Sequence, residues 1–133
     1  MEVALETLEY EFSKVGLSYT IANFKNLARL SDSLDFLILI GHSQSEGMLI
    51  ENGIMSWSNL YSQVSEKSRN AIVLACHSPT NSELGILGFS GQIDARAGAL
   101  LTAWQVQHMI EPEITSTVLL TEFSRVGNSY GKP

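Results

Sequence analysis

The first 34 residues place their apolar positions with two different periods. Apolar residues recur at helical spacing from about residue 3, and Gly16 follows where a helix commonly ends. Residues 17–21 then alternate with the period of a strand, and Asn23 is suited to cap a short helix. The pattern therefore predicts a helix, a strand and a second helix before residue 35.

Two continuous apolar runs, residues 36–40 and 71–75, are typical of strands that are covered on both faces. The first run ends at Gly41 and His42, and the second ends at Cys76. Because helical patterns separate the predicted strands, we expect a mainly parallel sheet with helices on both faces. The predicted fold class is α/β, a three-layer α/β/α sandwich in which the two runs lie side by side.

Between these runs the pattern predicts a β-hairpin followed by a helix. Residues 48–50 and 54–55 are short apolar runs on either side of Asn52-Gly53, a dipeptide that favours the tight turn of a hairpin. Ser56 or Ser58 then stands where a helix N-cap is expected. A hairpin and a helix should therefore connect the two buried strands.

The remaining residues predict one more short strand, a helix and a final segment of mixed character. Residues 85–89 have the strand pattern, and Asp94 is well placed to cap a helix that extends to about His108. Pro112 is suited to begin a last helix, which we predict here, and the β propensity of residues 114–118 is the argument for a strand instead. The polar tail, residues 127–133, is expected to be frayed.

Size and composition predict one globular domain. A chain of 133 residues is large enough for one core and short for two, so residues 1–133 should form a single domain. It would consist of a leading segment 1–34, a core 35–110 and the tail. Apolar residues make up 44% and charged residues 17%, which is typical of a folded chain rather than a disordered one.

Charge and cysteine content narrow the choice of partners and compartment. A net charge of −6 leaves no basic face for phosphates, so we expect neither nucleic acid nor an anionic membrane as the main partner. The longest apolar run is far shorter than the roughly 20 residues that cross a bilayer, and the acidic amino terminus is unlike a signal peptide. The single cysteine fits a reducing compartment. We therefore expect a cytoplasmic protein without a membrane segment; oligomerisation stays open.

His42 and Cys76 are the residues most suited to chemistry. In open α/β sheets, ligands bind beyond the carboxyl ends of the strands, and both residues follow such ends. A cysteine nucleophile needs a neighbouring base, which an imidazole on the adjacent strand end would supply. The alternative is that Cys76 is a small packing residue and His42 an ordinary loop histidine.

The order of these motifs resembles the caspase-like fold of cysteine peptidases (clan CD), which includes metacaspases, clostripain and CHAT domains. In that group an apolar strand ends in the catalytic His, a hairpin and a helix follow, and a second apolar strand ends in the catalytic Cys. Residues 35–109 have this order, with His42 after the first run, Asn52-Gly53 in the hairpin and Cys76 after the second run. The family usually has Gly directly after the His, where this chain has Ser43.

The resemblance implies a cysteine endopeptidase that acts on a peptide or protein substrate without a cofactor or metal. His42 and Cys76 would form the catalytic dyad, and the backbone N–H groups of Ser43 and Cys76 would bind the oxyanion. Gln92 and Asp94 follow the third predicted strand and would line the substrate pocket, where an acidic side chain would select Arg or Lys. The more ordinary explanation of Asp94 is a helix N-cap, a position at which Asp is strongly preferred.

Three other interpretations compete with this one. Gly41-His42-Ser43-Gln44-Ser45 nearly matches the nucleophile elbow of α/β-hydrolases, with Ser43 as the nucleophile, but its fifth residue is not Gly. Its triad partners, Asp94 and His108, would lie on one helix. A zinc site would gather His42, Cys76 and His77, which lack a recognisable ligand spacing. A caspase-like domain can also be a non-catalytic scaffold or interaction module.

Overall fold

A computed structural model describes residues 2–51, 53–109 and 116–121 of the chain. In chain order its elements are α1 (Glu2–Lys14), β1 (Thr20–Asn23), a first 3₁₀ helix (Phe24–Arg29), β2 (Phe36–Ile40), β3 (Ser43–Gln44), β4 (Gly47–Ile50), β5 (Gly53–Ser56), α2 (Trp57–Lys67), β6 (Ala71–Leu74), a second 3₁₀ helix (Ser82–Leu84), β7 (Ile86–Leu87), α3 (Ala95–Met109) and β8 (Thr117–Thr121). The predicted order of a helix, a strand and a short helix in the leading segment is confirmed.

The main sheet has five strands in the order β1-β8-β2-β6-β7, and every neighbouring pair is parallel. Strands β2 and β6 lie side by side, with Ile40 opposite Leu74 in their register. This confirms the predicted pairing of the two apolar runs. The α/β class with a mainly parallel sheet is likewise confirmed.

Alternate residues of β2 enter two separate cores, because successive side chains of a strand point to opposite faces. Ile38 and Ile40 pack with α1 and α3, whereas Leu37 and Leu39 pack with α2 and the first 3₁₀ helix. All five residues of β2 are buried. Helices therefore cover both faces of the sheet, as the continuous apolar pattern predicts.

The prediction of a last helix that begins at Pro112 is wrong for residues 117–121. Residues 117–121 form β8, which lies between β1 and β2 and is buried along its whole length. The β-branched residues Thr117 and Val118 favour this outcome, and a central position in the sheet overrides a weak helix signal. Residues 112–115 and the tail 127–133 lie outside the described residues.

The hairpin between the buried strands is confirmed, with its turn one residue earlier than expected. Strands β4 and β5 pair antiparallel with Ile50 opposite Gly53, so Gly53 is already the first strand residue. Its φ of +142° explains why glycine stands there. Asn52 lies outside the described residues. Ser56 caps α2, since its Oγ accepts a hydrogen bond from the Asn59 N–H at 3.3 Å.

Candidate active site

The candidate site lies where β2 and β6 end at the same edge of the sheet. Ile40 and Leu74 are register partners, and the Gly41 N–H donates to the Leu74 carbonyl at 3.4 Å. His42 comes two residues after Ile40, and Cys76 comes two residues after Leu74. The two chain segments therefore leave the sheet side by side, which confirms the strand-end position expected of both residues.

Cys76 is half-buried and has a backbone donor at its sulfur. The Ile93 N–H points at Cys76 Sγ with a nitrogen–sulfur distance of 3.5 Å. The next residue, His77, is exposed with a positive φ of 56°, and its N–H donates to the Gly91 carbonyl at 2.7 Å. The thiol is thus seated against the segment that leads into α3.

Ser78 holds the turn after β6, residues 75–78, in place, a role that the sequence pattern does not indicate. Its side chain is buried, and its Oγ lies 2.8 Å from the Ala75 carbonyl and 3.1 Å from the Val73 carbonyl. The same oxygen accepts the Phe89 N–H at 2.8 Å. A serine beside a candidate nucleophile gives no local signal for such a role, because its partners include a residue 11 positions away.

His42 is exposed and directly precedes β3, the first strand of a second, antiparallel sheet with the order β3-β4-β5. Its backbone carbonyl accepts the Leu49 N–H at 2.9 Å, which fixes the residue against β4. No hydrogen bond joins its imidazole to any residue that the structure describes. The ring is therefore available to a neighbour or to solvent, and the fold constrains its backbone rather than its side chain.

Ser43 connects the two chain segments of the site. Its Oγ donates a hydrogen bond to the Cys76 carbonyl, although the two residues are 33 positions apart. Because the bond between Leu49 and His42 sets the pattern of the ladder, Ser43 occupies a non-hydrogen-bonded position opposite Met48. The Ser43 N–H consequently points away from β4 and is not used in that pairing.

The two predicted pocket residues flank the amide that contacts the thiol. Gln92 and Asp94 are both exposed, and Ile93 lies between them. Asp94 Oδ2 accepts the Ala97 N–H at 2.9 Å, which confirms the N-cap interpretation. One carboxylate oxygen of Asp94 is thereby committed to α3.

The arrangement around Ser43 gives the nucleophile-elbow alternative no support. Ser43 begins a strand rather than a helix, and its hydroxyl is used by the Cys76 carbonyl. Asp94 and His108 lie near opposite ends of α3, roughly 20 Å apart at 1.5 Å per residue. The His108 Nδ1 is instead 2.8 Å from the Trp104 carbonyl oxygen of its own helix.

Two cavities are found elsewhere on the described surface. One of about 400 Å³ lies between α2 and residues 79–84, and another of about 250 Å³ lies beside the β6–β7 edge. Neither is lined by His42 or Cys76. Among the described residues, no three His, Cys, Asp or Glu side chains are grouped so that they could hold a metal ion. The helices within the same ranges are all too short or too polar to cross a membrane.

These observations define an α/β domain with a cysteine and a histidine at the carboxyl edge of two adjacent parallel strands. No protein-family model, curated protein or solved structure matches the chain. The resemblance to caspase-like peptidases therefore stays a prediction, carried by the order of the motifs.

Proposed function

We propose that this domain is a cysteine peptidase-like hydrolase that uses Cys76 as the nucleophile and His42 as the base. The observation that carries the proposal is the pairing of the two strand ends. Equivalent positions after Ile40 and Leu74 bear the imidazole and the thiol, and the hydrogen bond from Ser43 Oγ to the Cys76 carbonyl holds the two segments together.

In the proposed reaction, His42 takes the thiol proton and the Cys76 sulfur bonds to the carbonyl carbon of a peptide. The C–N bond then breaks, and the proton on His42 passes to the leaving amine. Water, deprotonated by His42, attacks the resulting thioester and releases the acid and the free thiol. His42 must turn toward Cys76 during this cycle, which its exposed side chain allows.

The Ser43 and Cys76 N–H groups are the proposed donors to the oxyanion. A backbone donor serves this purpose only if it is not already paired. What supports Ser43 is its outward position in the β3–β4 ladder, which leaves its N–H out of that pairing. The Ser43 hydroxyl would have no role in the proposed reaction.

A preference for basic residues has weaker support. Asp94 is exposed and caps α3, so its carboxylate is explained without a substrate. Gln92 is uncharged and exposed beside it. We therefore keep Gln92 and Asp94 as candidate substrate contacts and leave their selectivity to experiment.

The test is labelling with peptidyl electrophiles that carry Arg, Lys, Asp, Asn or Phe, followed by mass mapping of the modified residue. We expect selective modification of Cys76, at a rate that falls by orders of magnitude in His42→Ala. Gln107→Ala, on α3, is the matched control and should react like the parent. If the parent reacts with every peptidyl reagent no faster than with iodoacetamide, the peptidase proposal fails.

A non-catalytic scaffold is the second candidate. Two observations favour it: no described residue hydrogen-bonds the His42 ring, and neither of the two cavities above is lined by His42 or Cys76. A scaffold would keep Cys76 only for packing. The same labelling experiment separates the two functions, because a scaffold gives no selectivity among peptidyl reagents and no dependence on His42.

A further inference from the structure

Two hydrogen bonds connect side chains that line the 400 Å³ cavity to the chain segments that follow His42 and Cys76. The Trp57 Nε1–H, from α2, donates to the Ser45 carbonyl at 3.0 Å, three residues after His42. The Tyr61 hydroxyl, also from α2, donates to the Pro79 carbonyl at 2.6 Å, three residues after Cys76. This groove, which lies between α2 and residues 79–84, is therefore attached to both chain segments that follow the proposed catalytic residues.

The groove has an aromatic wall and a rim of hydroxyl groups. The rings of Trp57 and Tyr61 meet edge to face, with centroids 5.8 Å apart and planes at 60°. Ser58, Ser62 and Ser65 follow one another at helical spacing on the same side of α2. The groove volume is within the range of about 300–1,000 Å³ that is typical of ligand sites.

No residue that lines the groove carries a charge, although the chain as a whole is acidic. Burial raises the pKa of the Tyr61 phenol, so this group also stays neutral near pH 7. A charged side chain would lose water here without meeting an opposite charge, which is unfavourable. An uncharged ring could pack on Trp57 and Tyr61, while amide groups could reach the exposed hydroxyls of Ser58 and Ser62.

We propose that this groove binds an uncharged aromatic side chain of an extended peptide substrate and so sets the specificity of the Cys76 reaction. The inference rests on the proposed peptidase function and gives it a substrate class. It adds a neutral pocket, formed by α2 and the chain after Cys76, to the candidate substrate contacts Gln92 and Asp94. Peptides with Phe or Tyr near the scissile bond should be preferred to those with Arg or Lys.

The experiment compares two peptidyl electrophiles that differ only in Phe or Arg, using the parent chain, Ser62→Arg and Asn59→Arg. Both positions are exposed on α2, but only Ser62 lines the groove, so Asn59→Arg controls for charge and helix propensity. We expect the parent to react at least about tenfold faster with the Phe reagent, and Ser62→Arg to lose that advantage. Iodoacetamide should modify Cys76 equally in all three proteins. Ser58→Arg serves in place of Ser62→Arg if that variant does not fold.

The outcomes separate the two proposals. If Ser62→Arg and Asn59→Arg show the same selectivity, or if the parent reacts faster with the Arg reagent than with the Phe reagent, the groove is not the specificity pocket. The peptidase function then still stands. Peptidyl labelling of the parent that is no faster than with iodoacetamide overturns the peptidase function, and the groove assignment with it.

Discussion

Replacing Ser78 by Ala should weaken both the fold and the turn that carries Cys76. The Ser78 Oγ lies 2.8 Å from the Ala75 carbonyl and accepts the Phe89 N–H at 2.8 Å, and the residue is only 2% exposed. Alanine fits the same space but leaves both backbone groups without this partner. Leaving a buried polar group unpaired costs about 1–3 kcal/mol, so we expect the free energy of unfolding to fall by about 2 kcal/mol.

Urea unfolding of the parent, Ser78→Ala and Ser90→Ala measures this loss. Ser90 is exposed, so its replacement should change the free energy of unfolding by less than about 0.5 kcal/mol. The rate at which iodoacetamide modifies Cys76 under native conditions should rise in Ser78→Ala, because local opening of the turn becomes more frequent. Equal unfolding midpoints for the two variants, with equal thiol reactivity, would refute the assignment of Ser78 as the residue that holds the turn.

Two further predictions concern the nucleophile and the groove. Cys76→Ala should abolish peptide cleavage in a folded protein, whereas Ser43→Ala should lose about 1 kcal/mol of stability and keep most of the activity. Cleavage kinetics measure the activity of both variants, and thermal unfolding measures their stability. The reverse pattern on an ester substrate would favour a serine nucleophile. Because burial raises the pKa of Tyr61 above its ordinary value of 10.0, the unfolded chain loses this proton first, and stability should fall as pH rises above 10. Tyr61→Phe should remove that part of the pH dependence of the free energy of unfolding, measured by urea unfolding at pH 9 to 11. If this free energy depends on pH in the same way in parent and variant, burial of Tyr61 is not the cause.

Local patterns predicted the elements whose role is decided within a few residues. The apolar runs of β2 and β6 are recognisable in the sequence because both faces of each strand are covered, so every position is apolar. Asp94 was predicted as an N-cap, and Ser56 as one of two candidates with Ser58, because such caps bind a partner three residues ahead. Strand β8 was missed because Pro112 is suited to begin a helix, and only residues 118–120 of the strand are apolar, a run too short to distinguish a strand from a buried helix.

The contacts that build the candidate site could not be predicted in the same way. The Ile93 amide reaches Cys76 from 17 positions away, and the Ser43 hydroxyl reaches the Cys76 carbonyl from 33 positions away. Such pairs depend on how the loops close around the sheet, and no local pattern at Ser43 or Ile93 indicates Cys76 as its partner. The sequence could place His42 and Cys76 at one edge of the sheet, but it could not reveal what holds them there.

The serine at position 43 has a physical explanation that does not depend on catalysis. Glycine in that position would offer a backbone N–H and nothing else, whereas Ser43 offers the same N–H together with a hydroxyl that binds the Cys76 carbonyl. That hydrogen bond joins the ends of β2 and β6 on the side where no strand pairing remains. The departure from the caspase-like pattern is therefore compatible with either function: a peptidase would gain a more rigid dyad, and a scaffold would gain only a tighter loop. Because the hydroxyl and the N–H belong to one residue, Ser43→Gly would remove the first and keep the second. Its effect on stability and on Cys76 labelling would show which of the two groups the protein needs.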